Sequence, residues 1–167
     1  METKFKMSGL VEIKKFKDGK CVSKTIKKNN IMDDALDELI KSFYSVANSN
    51  MLFMHIAFGD DDTPNTDDMG TLVNEYYRIQ ILSKRRTNVG VVQIRAVMTD
   101  LEPAHMGAAC TIKEVGLFGG SGSYDYNPLA IGNHLNTGLL ISRVVVDEVK
   151  DTFEQIQITW TITLERG

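Results

Sequence analysis

The chain has 167 residues, 43% of them hydrophobic and 25% charged, with a formal net charge of −3. That length suits one ordinary domain able to bury a core, and the composition excludes disordered, fibrous and collagen-like classes. No apolar run approaches the roughly 18 residues of a membrane span, and Met1 to Lys6 lacks the apolar centre of a signal peptide, so synthesis and use from the cytoplasm are expected.

Charge is unevenly spread. Residues 1–28 carry Lys4, Lys6, Lys14, Lys15, Lys17, Lys20, Lys24, Lys27 and Lys28 against Glu2, Glu12 and Asp18, while Asp60, Asp61, Asp62, Asp67 and Asp68 crowd a later segment. A basic patch on one subunit could meet an acidic one on its neighbour, which makes Lys14, Lys15, Lys17, Lys24 and Lys27 candidate subunit contacts. A solvated sheet face accounts for the same lysines. Nucleic acid is the weaker alternative, because interleaved aromatics, arginine enrichment and a recognition helix are lacking.

Along the chain, Leu10 to Phe16 and Cys21 to Ile26 flank Asp18-Gly19, a strong turn signal, and predict an N-terminal β-hairpin within a basic arm, residues 1–28. Asn29-Asn30 offers a helix start. Leu36, Leu39, Ile40, Phe43 and Val46/Ala47 then recur at three- and four-residue spacing, predicting a helix over about 33–47 that covers a sheet. Asp34, Asp37 and Glu38 precede Lys41 on its polar side, the order the helix dipole favours. Met51 to Phe58 reads as a largely buried strand closed by Gly59.

Gly59 to Gly70 is rich in turn formers and predicts an exposed loop. Beyond it, Tyr76 to Arg86 and Val91 to Thr99 predict a second hairpin around Thr87 to Gly90. Leu101 to Ala109 reads as a crossing loop, Cys110 to Phe118 as a strand, and Gly119 to Ser123 as a flexible turn before Leu129 to Asn133. Leu139 to Val146 is nearly continuous Leu, Ile and Val. In the last strand Ile156, Ile158, Trp160, Ile162 and Leu164 alternate with Gln155, Gln157, Thr159, Thr161 and Thr163. The expected fold is mainly β: a single-domain antiparallel sandwich or barrel of about eight strands, with one covering helix, because a parallel sheet would need helices between strands.

The motifs of common chemistries are missing. His55, His105 and His134 lie far apart and none has a second ligand type at helical spacing, so zinc has little support. No Gly-x-Ser-x-Gly elbow, Cys-His signature or phosphate loop is present, which predicts a non-enzyme without cofactor. Asp60, Asp62, Asp67 and Asp68 could offer oxygen ligands to calcium, but Pro64 breaks the EF-hand spacing and an exposed acidic loop is the expectation. Cys21 and Cys110 fit free buried thiols rather than a disulfide. Glu75 and Glu114 read as cross-strand pairs or edge residues, not general acids.

Three segments, taken in order, carry a resemblance: the Gly59 loop followed by Thr71-Leu72-Val73-Asn74-Glu75-Tyr76-Tyr77-Arg78, then Ile112-Lys113-Glu114-Val115-Gly116-Leu117-Phe118, then Leu129-Ala130-Ile131-Gly132-Asn133. This progression resembles the N-terminal region of phage tail-collar fibre proteins. The helix near 33–47 and the ending Trp160-Thr161-Ile162-Thr163-Leu164 are similar to short phage tail, baseplate or fibre proteins. The resemblance implies a virion structural protein forming a symmetric oligomer, a trimer being common for such fibres, with itself and other tail proteins, and no nucleic-acid or membrane partner. Because the chain stops soon after its last strand, where fibres of this type continue into a shaft, an adaptor in a baseplate, collar or fibre attachment is expected. The alternatives are a host-carbohydrate module using Tyr124 and Tyr126 on the 119–127 loop, and a head decoration or neck protein.

Overall fold

The computed structural model describes residues 5–44, 51–120, 122–127 and 134–166. Nine antiparallel strands, β1 (Phe5–Lys17), β2 (Lys20–Ile31), β3 (Phe53–Gly59), β4 (Glu75–Gln80), β5 (Ser83–Asn88), β6 (Val91–Met98), β7 (Cys110–Gly119), β8 (Leu139–Lys150) and β9 (Glu154–Arg166), form one curled half-barrel sheet. Among the described residues one α-helix, α1 (Asp33–Tyr44), accompanies them. The strand order is β4-β3-β7-β8-β2-β1-β9-β6-β5.

The N-terminal hairpin forms as expected and is longer. Asp18 and Gly19 both have positive φ, 49° and 73°, the pair of left-handed residues that a two-residue hairpin turn demands. Asn29-Asn30 does not start the helix. β2 runs through both residues to Ile31, because Asn30 and Ile31 pair with Arg143 and Ser142 of β8 after Gly9 to Lys17 have paired with the earlier part of β2. β2 therefore changes neighbours along its length and forms one corner of the sheet.

The expected second hairpin is corrected at its first arm. Tyr76 to Arg86 is two strands, not one: β4 pairs with β3, whereas β5 pairs with β6 at the opposite end of the strand order. Ile81 and Leu82 lie between them. Ile81 N donates to Met54 O at 3.1 Å and Leu82 N donates to Arg95 O at 2.8 Å, so consecutive peptides bond to opposite edges. This handover curls the sheet and bridges its margins, limiting the open edges that invite unwanted pairing.

Inside the curl, β9 is the central staple. Trp160 faces Val11 on β1 and Ile94 on β6; Ile158 faces Ile13 and Ala96 in the next layer, and all six are 2% exposed or less. Each strand thus places its apolar alternate residues into a common core, the dominant favourable contribution to folding.

β3, β7 and β8 instead bury both faces. Ile56, Leu117 and Ile141 point into the main core, while Ala57, Phe118 and Leu140 form a second cluster with Met32 and Leu72 on the outside. The segment 60–74 supplies Leu72 and packs Met69 there, which explains the near-continuous apolar run of β8.

The helix starts at Asp33, its end expected at 45–47 lying outside the described residues. Its predicted packing is half right. Ala35 is buried and Leu39 half-buried, but Leu36, Ile40 and Phe43 are 39%, 56% and 74% exposed. These three follow i, i+4, i+7 spacing, so they form one outward apolar stripe. Of the two thiols, Cys110 is buried and Cys21 exposed, which corrects the expectation that both are buried.

Candidate functional site

A row of four residues crosses the outer face of β4, β3, β7 and β8: Arg78 opposite Ala57, Ala57 opposite Gly116, and Gly116 opposite Arg143. The two small residues leave room for Leu72 above them; a Cβ on Gly116 would lie 2.8 Å from Leu72 Cδ2. The arginines at either end are 2% and 0% exposed. A buried charge needs a partner, and each has one.

Arg78 forms a two-pronged pair with Glu75, Nε donating to Oε1 at 2.6 Å and Nη2 to Oε2 at 2.8 Å. Its Nη1 donates to Thr137 O at 3.0 Å, and its guanidinium lies 4.6 Å from the Phe118 ring centre. Glu75 also accepts from Asn136 N at 2.7 Å. On the other side, Arg143 Nε donates to Glu114 Oε2 at 2.8 Å and its Nη1 donates to Thr63 O at 2.8 Å and to Asn65 Oδ1. Glu114 accepts further from Val73 N and Asn74 N at 3.1 and 2.7 Å. Two ion pairs therefore bind the backbone of two loops, residues 60–74 and 134–138, to the sheet. Charge-assisted bonds of this kind are the stronger class of hydrogen bond.

Glu75 lies on β4, the strand at one end of the sheet order, and pairs with Arg78 of its own strand, whereas Glu114 makes a cross-strand pair from β7 to Arg143 on β8, as expected; both carboxylates are also anchors of a buried clasp. Gly59 belongs to it too, since a Cβ there would sit 2.6 Å from Asn74 O and against Glu114 Oε1.

The acidic segment is largely engaged within the chain. Lys113 Nζ donates to Asp62 at 2.8 Å and holds that carboxyl below its ordinary range, Thr63 N donates to Asp61 at 2.8 Å, and Asn30 Nδ2 donates to Asp67 at 2.9 Å. Among the described residues no group of three His, Cys, Asp or Glu side chains could hold a metal ion.

The five candidate lysines do not form one patch. Strand parity sets Lys14 and Lys24, which flank Glu12 at 2.7 Å each, on the face opposite to Val11 and Ile13. Lys15 shares the core side and reaches Glu148 at 3.4 Å and Val149 O at 3.1 Å. Lys27 lies opposite Val11, and Lys17 sits at the hairpin tip. The two candidate tyrosines also part: Tyr124 is 53% exposed beside His134, their ring centres 5.3 Å apart, whereas Tyr126 packs on Tyr77 and His105.

His55 is 2% exposed on β3. Its Nδ1 meets Ser123 Oγ and its Nε2 meets Asp125 Oδ1, both at 2.6 Å. Burial lowers the imidazole pKa below 6.5, against the opposing pull of Asp125. Serine, histidine and aspartate are the groups of a hydrolytic triad, but Ser123 is itself buried, lies within reach of Arg78 Nη1 and is covered by Gly138, where a Cβ would come 2.6 Å from Ser123 Cβ. A nucleophile needs a free approach to substrate, and this hydroxyl is enclosed by its neighbours. The trio ties the 122–127 loop to β3 and β4, with Gln80 Nε2 donating to the second oxygen of Asp125 at 2.7 Å.

Lys150 makes a comparable tie elsewhere. Fully buried, it donates to Ala108 O at 2.7 Å, and burial lowers its pKa from the ordinary lysine value.

The sequence motifs pointed to several of these positions, but not to the His55 contacts, which join residues nearly seventy positions apart and have no local signature. Leu129 to Asn133, the third motif segment, lies outside the described residues. No known protein family, curated protein or solved structure matches the chain.

Proposed function

We propose that this chain is a structural protein of a phage or phage-like tail, an adaptor in a baseplate, collar or fibre attachment that acts by docking rather than catalysis. The observation carrying this reading is the convergence of Gly59, Asn74, Glu75, Arg78, Glu114, Gly116 and Phe118. These are residues of the segments by which the sequence resembles tail-collar fibre proteins, and they join in a single buried clasp. Residues from two of the three resembling segments thus serve one structural device, which supports reading those segments together.

Two further features support docking. The clasp fixes long loops on a rigid sheet, as a subunit that must present a defined surface requires. The Leu36, Ile40 and Phe43 stripe stands beside an apolar groove of about 350 Å3, whose lining includes Met7, Leu39, Phe53 and Ile162. Unpaired apolar surface of this kind marks protein contact. A neighbouring subunit, either a second copy or another tail protein, is the proposed occupant.

Antibody labelling of particles made by the encoding source tests the assignment. Label on tails or baseplates is the expected result; label confined to heads, or none on any particle, overturns it.

A further inference from the structure

A second concavity, of about 380 Å3, opens where β4 meets the loop after β6. Its walls include Tyr77, Leu82, Val97, Glu102, Asp125 and Tyr126. Tyr126 packs edge-on to Tyr77 with ring centres 4.9 Å apart, and stacks on His105 at 5.3 Å with 25° between the planes.

Both carboxylates are held in place. Glu102 accepts from Tyr77 Oη at 2.6 Å through Oε1, and from Thr99 N and Oγ1 at 2.8 and 3.0 Å through Oε2. Asp125 is fixed by His55 and Gln80. Their partners are mostly neutral donors, so their negative charge persists in the groove. The one arginine in the wall, Arg78, already has its charge matched by Glu75.

We infer that this groove is a binding site for an organic cation, the alkylammonium or guanidinium head of a lysine or arginine side chain. Aromatic faces attract a cation through the ring quadrupole, and fixed carboxylates supply directed acceptors without reorganisation. Tyr77 and Tyr126 also cover the aliphatic stem that such a side chain brings with it. A neutral sugar would use the same tyrosines but would gain nothing from two persistent negative charges. The inference does not rest on the tail assignment and stands or falls by itself.

The test is titration of the isotope-labelled full chain with N-acetyl-lysine-methylamide and N-acetyl-arginine-methylamide at low salt. The titration is run near pH 8, where lysine and arginine side chains in solution remain charged. Saturable amide shifts centred on Glu102, Asp125 and Tyr126 are expected, weakened by added salt. Tyr126→Ala and Glu102→Gln should each weaken binding roughly tenfold, with the rest of the spectrum unchanged. Leu82→Lys, which puts a competing cation at an exposed wall position, serves where either variant disturbs the fold and should likewise weaken binding. Absence of saturable shifts, equal binding of the norleucine analogue, or stronger binding of a methyl glucoside overturns the inference.

Discussion

Glu75 and Arg78 are three residues apart on β4, a spacing that sets side chains on opposite faces of a regular strand, yet their charged ends meet at 2.6 Å with neither exposed. The reason is a bulge. Phe58 pairs with Tyr77 and Gly59 with Glu75, so Tyr76 is the extra residue, and it returns Glu75 to the face that Arg78 occupies.

Removing one member of this pair leaves the other charge buried without its counter-ion. Arg78→Met and Glu75→Gln are each expected to cost about 3–5 kcal/mol, while a double replacement by apolar residues of similar volume should cost less than the sum. Urea unfolding of the three variants checks both statements. Equal additivity would mean that the pair is not coupled.

Gly59 and Gly116 should both resist alanine, for different reasons. Neither needs a left-handed φ; the obstacle is contact. At Gly116 the new methyl meets the ends of Leu72, Phe118 and Leu140, which can shift, at a cost of about 1–3 kcal/mol. At Gly59 it meets the Asn74 carbonyl, which is backbone and cannot rotate away, so Gly59→Ala should lower Tm further than Gly116→Ala. Thermal unfolding ranks the two.

Stability should fall on acidification through His55. Burial lowers its folded pKa below 6.5, so in the window beneath 6.5 the unfolded chain binds the proton that the folded one refuses. The contribution is therefore complete above that value and is lost as pH drops through the folded pKa. Asp125 acts in the same direction: burial opposes its charge, but its bonds to His55 and Gln80 hold its pKa below the ordinary carboxylate value. Denaturant midpoints measured between about pH 5 and 8 should rise with pH in the native chain and rise less in His55→Gln.

The helix stripe offers a test of assembly separate from folding. Ile40→Glu and Phe43→Glu replace exposed side chains, so each should change stability by no more than about 0.5 kcal/mol. Native mass measurement should show an oligomer in the parent chain that the double variant loses. An unchanged mass would remove the stripe from the contact surface.

Several elements were legible before any tertiary contact was known. Asp18-Gly19 announces its hairpin because few residue pairs accept two positive φ values in succession. The strict alternation from Gln155 to Leu164 announces a strand with one dry face, and that strand became the centre of the core. The helix expected over about 33–47 was equally plain from spacing, and the described residues show it over Asp33–Tyr44. Its outward stripe was not, because periodicity groups Leu36, Ile40 and Phe43 on one side without saying what that side faces.

The amino-acid order by itself determined the β-rich class, the first turn, the helix and the final strand, since each depends on backbone preference or on side-chain period within a short window. Only the tertiary structure decided that residues 75–88 divide between opposite margins of the sheet, that Glu75 and Glu114 anchor buried arginines, and that His55 holds the 122–127 loop. Those outcomes depend on which distant strands become neighbours. A single bulged residue is enough to reverse the parity from which a local reading assigns faces.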